Sequence, residues 1–406
     1  HFNMKDWKER IQDVLDDAVE HGELAGGSLL ILQDGEEKLY ATCGYADIDQ
    51  KKPYERDTIV RLYSMSKPFT GAATMILLER GLIDLNDPVE WYLPDFANPR
   101  VFANPAPGII PAKREVRLRD LVSMTAGVSY PGTDDAGYQA AAPLFQEIDR
   151  RLYTEDAMTT NEIANAIGRL PLAFQPGEHF RYSTCADVMA AVIEVVSGMK
   201  YGEFLKKEII DPLGLKDTGF WVPAEKQYRL AKAYLWNEET KQYEEEVTNH
   251  LGMRYLREVP PAFESGGAGM VGTLQDYARF GQMLLNGGEL DGVRILQPQT
   301  IRYMTGGQLN DSQMQDLWKW SSDRLEGYNY SFFNRVSKMP NREMGNGSLG
   351  EYGWDGWMGT YYANDPANNI TMVLMTQRPG SGNTRTVRRV RNIMYSVLTK
   401  ETGELK

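Results

Sequence analysis

Stretches with strand character lie near both ends of this chain, and helical periodicity fills most of what lies between. A chain written this way completes a single sheet only by bringing its two ends together. Near the start, Gly26-Gly27 introduces the apolar run Ser28-Leu29-Leu30-Ile31-Leu32, and Asp34-Gly35 separates it from Lys38-Leu39-Tyr40-Ala41-Thr42. Two such runs about an Asp-Gly turn read as an antiparallel hairpin, closed by a second turn at Asp47-Ile48-Asp49. Near the end, Thr360 to Ala363 and Ile370 to Met375 read as strands flanking a turn over Asp365 to Asn369. Helical spacing covers 6–21, where Trp7, Ile11, Val14, Leu15 and Ala18 share a face, and 64–80, with Gly81 as its cap. It dominates 118–215 apart from a break at Pro176-Gly177, and returns over 271–286 and 384–399. The proline-rich stretch 93–117 reads as a long surface excursion. The expected architecture is α/β (α+β) in two parts. An α/β domain over 4–95 and 225–406 carries an antiparallel sheet flanked by helices, and a mainly helical domain over 96–224 is inserted into it.

Charge and composition narrow the function. Asp+Glu 56 against Lys+Arg 44 leaves a net charge of −12, which argues against a nucleic-acid partner, since phosphate binding needs a basic surface. No run of about 18 apolar residues occurs, so a membrane-spanning helix is not expected. Two cysteines, Cys43 and Cys185, make neither a disulfide framework nor a metal pair. Four histidines, at 1, 21, 179 and 250, make a multi-histidine metal site an unlikely reading; no metal and no cofactor are expected. His1-Phe2-Asn3 reads as a cloning remnant before a native Met4, and the charged Lys5 to Arg10 does not suit a signal-peptide core. The simple reading is cytoplasmic, with an export signal removed upstream left open.

A serine hydrolase of the Gly-x-Ser-x-Gly kind is disfavoured, because that motif is absent and no histidine follows His250. What does occur is Ser64-Met65-Ser66-Lys67 at the start of a helix. Three residues apart on a helix places both side chains on one face. The helix N-terminus, with unpaired N–H groups and partial positive charge, favours a serine alkoxide and a neutral lysine. If desolvated, Lys67 would serve as a base near neutral pH. Ser197-Gly198-Met199-Lys200 has the same spacing but reads as a helix stop with a solvated lysine. Two further segments stand beside the first copy. In Phe174 to Thr184 a Pro-Gly turn delivers Tyr182, Ser183 and Thr184 onto a helix start. In Gly353-Trp354-Asp355-Gly356-Trp357-Met358-Gly359-Thr360 a strand begins, whose glycines would let a substrate backbone approach.

With these motifs in this order, the sequence resembles the penicillin-recognising serine hydrolases: class C β-lactamases, D-Ala-D-Ala carboxypeptidases and the β-lactamase-like carboxylesterases. Ser64 to Thr70 resembles their nucleophile helix, and Leu118 to Gly127 resembles the segment ending in Thr-Ser-Gly. Ser265 to Gly269 with Asp276-Tyr277 and Met283 to Gly288 resembles a stretch with no known catalytic role in the family. The resemblance implies a serine β-lactamase-like fold with Ser64 as nucleophile, Lys67 as its base and Tyr182 as proton shuttle to the leaving group. A tyrosine suits that task if a nearby cation lowers its pKa from roughly 10. It also implies an oxyanion hole from the backbone N–H groups of Ser64 and Trp357.

Two departures shape the expected substrate. Thr184 stands where the family's Tyr-x-Asn has asparagine, and a hydroxyl is shorter than an amide. Trp354-Asp355-Gly356 stands where β-lactamases and peptidases carry Lys-Thr-Gly, so the cation that holds a substrate carboxylate is missing. This resembles the Trp-x-Gly of the carboxylesterases and moves the expectation toward neutral acyl esters. The expected activity is hydrolysis of small or medium acyl esters through an acyl-enzyme. Acyl transfer, D-amino-acid peptidase or weak β-lactamase chemistry are the alternatives, and a non-catalytic binding module is a further one. The partner expected is a small-molecule ester or amide. Thr184, Tyr130, Trp354, Asp355 and Gly356 are the expected substrate-binding residues. Tyr130 reads equally as surface loop, and Trp354 and Trp357 equally as core. His179 reads as a cap or packing residue, Cys185 as a small buried hydrophobe, and Arg378 as a possible partner for an anionic substrate group.

Overall fold

The computed structural model describes residues 6–400; the expectations for His1 to Asn3 and Met4 lie outside them. Seven strands form one antiparallel sheet. They are β1 (Gly26–Gln33), β2 (Glu36–Gly44), β3 (Tyr328–Ser331), β4 (Asn334–Ser337), β5 (Tyr352–Asp355), β6 (Tyr361–Asp365) and β7 (Ile370–Thr376), in the spatial order β3-β4-β5-β6-β7-β1-β2. The two chain ends meet at the β1–β7 pair, with Leu30 opposite Val373.

The strand alternation assigns the faces. Leu29 and Ile31 of β1, with Met372 and Leu374 of β7, bury against α1 (Trp7–Glu20) and the C-terminal helix Arg385–Met394, through Ile11, Leu15, Val387 and Val390. Leu30, Val373 and Met375 point the other way, into a larger core that includes Phe280 of the helix Leu274–Leu285. A slip of one residue would exchange these two sets, so the register is fixed by burial on both faces. Arg391 pairs with Glu351 in the interior, and Tyr395 Oη lies 2.9 Å from the same carboxylate, which ties the last helix to the sheet.

The helices that carry the site lie on the second face. The Ser-x-x-Lys segment begins in a 3-10 turn, Tyr63–Ser66, that runs directly into α2 (Lys67–Glu79). The helix Leu118–Val122 and α3 (Cys185–Ser197) pack against one another, and α3 packs on α2. The second Ser-x-x-Lys copy is a helix stop: Gly198 has φ +71° and Lys200 is exposed. The 93–117 stretch is not all surface, because Leu93, Phe96, Val101 and Val116 are buried in the main core.

The β3–β4 hairpin has no sequence signal of the usual kind. Its two turn residues, Phe332 and Phe333, have φ of +46° and +66°, values that normally select glycine or asparagine. Both rings are fully buried, so tertiary burial of two large apolar side chains outweighs the local backbone cost. Helix α2 passes directly over this turn: a Cβ on Gly71 would lie 2.4 Å from the Phe332 carbonyl oxygen. Because that neighbour is backbone, Gly71→Ala is expected to destabilise the fold by about 1–3 kcal/mol, read as a lowered Tm. An unchanged melt would contradict this packing.

Candidate active site

Ser64 and Lys67 share a face because the 3-10 turn continues into α2 without a break. The residue before the serine, Tyr63, has φ +44° and is fully buried. A bulky non-glycine residue in this region is strained and persists only where its surroundings over-determine it. Tyr63 is held edge-on against Trp357, with ring centroids 5.1 Å apart.

Lys67 is fully buried. Its Nζ lies 3.1 Å from Ser64 Oγ, 2.7 Å from Tyr130 Oη and 2.9 Å from the Gly267 carbonyl oxygen. All three partners are uncharged, so nothing in contact repays the ammonium for its lost water. Desolvation dominates, with Asp187, Cys185 and Asp355 opposing it, and the amine titrates at about 7 instead of 10.5. The same three contacts fit either state. The ammonium donates to all of them, whereas the neutral amine donates two, one of them to the carbonyl, and presents its lone pair to the remaining hydroxyl.

Tyr182 enters on the segment before α3, and its Oη donates to Ser64 Oγ at 2.5 Å. The indole N–H of Trp354 in turn donates to that Oη at 3.2 Å. Lys67 Nζ lies 4.5 Å from the centre of the Tyr182 ring, yet burial prevails and raises the phenol above its ordinary pKa. The expected lowering by a nearby cation is therefore not what the site provides: Tyr182 is held as a neutral phenol.

Ser64, Tyr130, Tyr182, Trp354, Asp355, Gly356 and Trp357 all line one cavity of about 420 Å³. Tyr130 is thus part of the site wall, not surface loop. Trp354 serves both readings, nearly buried at 2% exposure while its edge reaches the cavity. Trp357 lies in the loop after β5 and stacks on His250 at 3.8 Å. Asp355 faces the cavity, but the buried Arg335 lies 3.6 Å from it and offsets its charge. The close neighbour of Gly356 is the chain itself, since a Cβ there would sit 2.5 Å from the Leu62 carbonyl oxygen. Its bareness lets this loop reach the segment leading to Ser64, a different reason from the approach of a substrate backbone.

Thr184 is apart from the others. It is completely buried at the residue preceding α3, does not line the cavity, and its hydroxyl has no hydrogen-bond partner among the described residues. Cys185 is buried as a small apolar residue. His179 lies outside the cavity, 3.1 Å from Asp316, and Arg378 does not line it either. His250, Leu251, Trp320, Arg324 and Leu325 do line it, and none carried a sequence signal. They come from loops and from the end of the helix Asp311–Trp320, where spacing has no bearing on direction. Burial lowers the His250 pKa to about 4, so its ring is an uncharged wall at neutral pH.

The beta-lactamase family pattern matches residues 11–393. The chain belongs to the beta-lactamase family. Its relatives are serine hydrolases of this family, and its fold is shared with a penicillin-binding-protein homologue from Caulobacter crescentus. Protein Rv1367c of Mycobacterium tuberculosis is 31% identical over 365 residues, covering 88% of this chain and 86% of that protein. Esterase EstB of Burkholderia gladioli is 27% identical over 387 residues, 92% of this chain and 91% of the esterase. Among solved structures, EstCE1, described as a hydrolase with promiscuous acyltransferase activity, superposes with a TM-score of 0.79 at 26% identity. It spans 96% of this chain and 98% of its own. No described helix is long and apolar enough to cross a membrane.

The Lys67 environment has a consequence for stability. The unfolded chain keeps the lysine proton up to about 10.5, whereas the folded one releases it near 7. Between those values the unfolded state binds more protons, so this group makes stability rise with pH, and its full cost is felt at and below pH 7. Lys67→Met is expected to melt above the parent at pH 7, with the gap narrowing toward pH 10.5. Thermal melts across that range check this; a gap that does not narrow would contradict the buried, depressed lysine.

Proposed function

We propose that this protein is a carboxylesterase that cleaves small to medium, neutral acyl esters through an acyl-enzyme on Ser64. The observation that carries the reading is the buried Lys67 amine, 3.1 Å from Ser64 Oγ and titrating at about 7, which supplies a base for a hydroxyl that is otherwise a poor nucleophile. In this reading Ser64 Oγ attacks the ester carbonyl as its proton passes to Lys67 Nζ. The backbone N–H groups of Ser64, in the first turn of its helix, and of Trp357 receive the oxyanion. Tyr182, kept protonated by burial, gives its proton to the departing alkoxide and is refilled from the Lys67 ammonium, with which it shares Ser64 Oγ. Water then attacks the acyl group, the proton passing back the same way, and Ser64 is released. Tyr130, 2.7 Å from Nζ, orients the amine.

Support for an ester over a β-lactam comes from the third motif. Trp354 reaches the cavity where a lysine would hold a carboxylate, and its indole instead fixes Tyr182. The aromatic and aliphatic wall of Tyr130, Trp320, Leu325 and Trp357 suits an apolar acyl or alcohol group. The similarity to EstB and EstCE1 supports the same class. A second reading, transfer of the acyl group to an alcohol or amine in place of water, is supported by the activity described for EstCE1; product analysis with a competing alcohol distinguishes it.

Ser64→Ala is expected to reduce p-nitrophenyl butyrate turnover to the uncatalysed background. Tyr182→Phe is expected to lower kcat by roughly 10²–10⁴-fold with little change in KM, as for loss of a general acid. Parent-like ester turnover by Ser64→Ala would refute the reading. Nitrocefin turnover at a rate matching the ester would move the substrate assignment to β-lactams.

A further inference from the structure

One buried carboxylate behind the site has no place in the scheme above. Asp187 lies in the first turn of α3, one helical turn beyond Tyr182, and is only 4% exposed. Its Oδ1 accepts from the Ser265 hydroxyl and, at 3.2 Å, from the Gly267 backbone N–H. The Ser265 hydroxyl also accepts from the Ala268 N–H at 2.9 Å, so carboxylate and hydroxyl together hold the turn Ser265 to Ala268. The Gly267 carbonyl on that turn is the one that accepts from Lys67 Nζ at 2.9 Å. The peptide unit beside Gly267 is thus gripped on the N–H side by Asp187, while its next carbonyl faces the amine. Asp187 makes no ion pair of its own among the described residues, although a buried carboxylate would ordinarily have one.

We propose that Asp187 is a positioning residue for Lys67, holding the Gly267 carbonyl against the amine through the Ser265–Gly267 turn and setting the field behind it. The inference rests on the acyl-enzyme reading above. Two effects follow from the placement. The turn fixes where Nζ points, which keeps its lone pair available to Ser64. The charge favours the ammonium, and so sets how much of the lysine is available as a base at a given pH. Without that charge, the dehydrated amine would hold its proton more weakly and would be a poorer base in the transition state.

The groups facing this pair come from several elements. Lys67 meets Tyr130 from the loop after Leu118–Val122, Tyr182 from the segment before α3, Cys185 at its first residue, and Asp355 from β5. Burial raises the Asp187 carboxyl above its ordinary range, while the Ser265 hydroxyl, Lys67 and the Gly267 N–H act to keep it ionised, and Tyr201 lies near enough to feel its charge while bonding to Thr70 of α2. The tyrosines and Cys185 are all raised above their ordinary pKa values by burial and stay neutral through the range of interest. Asp355 is offset by Arg335. Asp187 is therefore the carboxylate whose removal changes the field at Lys67 most directly, and it is the first of the opposing charges acting on that amine.

The test is the pH dependence of kcat/KM for p-nitrophenyl butyrate, from pH 4.5 to 9, in the parent and in Asp187→Asn. The amide preserves size and can still accept from the Gly267 N–H. In the parent, activity is expected to rise through a limb near pH 7. In Asp187→Asn that limb is expected to move to lower pH by about one unit, with plateau kcat reduced and KM changed little. Ser265→Ala, which leaves the carboxylate but weakens the hold on its charged form, is expected to move the limb the same way by less. It also serves if Asp187→Asn fails to fold. A variant whose activity is merely scaled down, with the limb in place, would overturn the proposal, as would one indistinguishable from the parent. A parent that neither turns over the ester nor takes a fluorophosphonate on Ser64 would instead count against the esterase reading itself.

Discussion

The chemistry proposed for this protein depends on placing one primary amine where water cannot reach it and giving it only neutral partners. Lys67 is surrounded by a serine hydroxyl, a phenol and a peptide carbonyl. Each accepts a hydrogen bond, and none carries the full charge that would repay an ammonium for its lost hydration. The balance falls to desolvation, and the lysine releases its proton near neutral pH. The same burial acts in the opposite sense on the neighbouring acids. Tyr182 and Tyr130 are held more firmly as phenols. One environment therefore separates the proposed base from the proposed proton donor on either side of Ser64, since burial disfavours whichever form is charged.

The fold is arranged to make that burial possible. Lys67 is enclosed by α2, by the start of α3 and by the Ser265–Gly269 turn, three segments distant in sequence. The loop after Leu118–Val122 adds Tyr130, 2.7 Å from the amine. The close approaches that the fold needs are made by bare backbone: α2 crosses the Phe332 carbonyl at Gly71, and the β5 loop reaches Leu62 at Gly356. Strain is held at Tyr63, next to Ser64, by the packing of Trp357 and the deep core.

Much of this was legible from the residues. The hairpin at Asp34-Gly35, the helix starting at Ser64 and the pairing of the chain ends all follow from local turn chemistry and alternation. The three motifs that meet in the cavity announce themselves by residue type and spacing. The β3–β4 hairpin did not, because Phe332 and Phe333 occupy positions where sequence rules look for glycine or asparagine. Their turn is imposed by burial that only the folded core supplies. Thr184 was expected at the cavity because it follows Tyr182 by two positions, but the turn into α3 directs it into the interior. His250 and Trp320 reach the cavity from loop and helix-end positions that no periodicity encodes. The role of the Ser265–Gly269 turn was hidden for a related reason: it acts through a carbonyl and an N–H, which carry no residue identity.

The most direct measurement is the rate of covalent modification of Ser64 by a fluorophosphonate as a function of pH, followed by intact mass with the adduct mapped to its peptide. A buried amine acting as base predicts a rate that rises through a single limb near pH 7 and then levels. A limb near 10, as for a solvated lysine, or a rate independent of pH would contradict it.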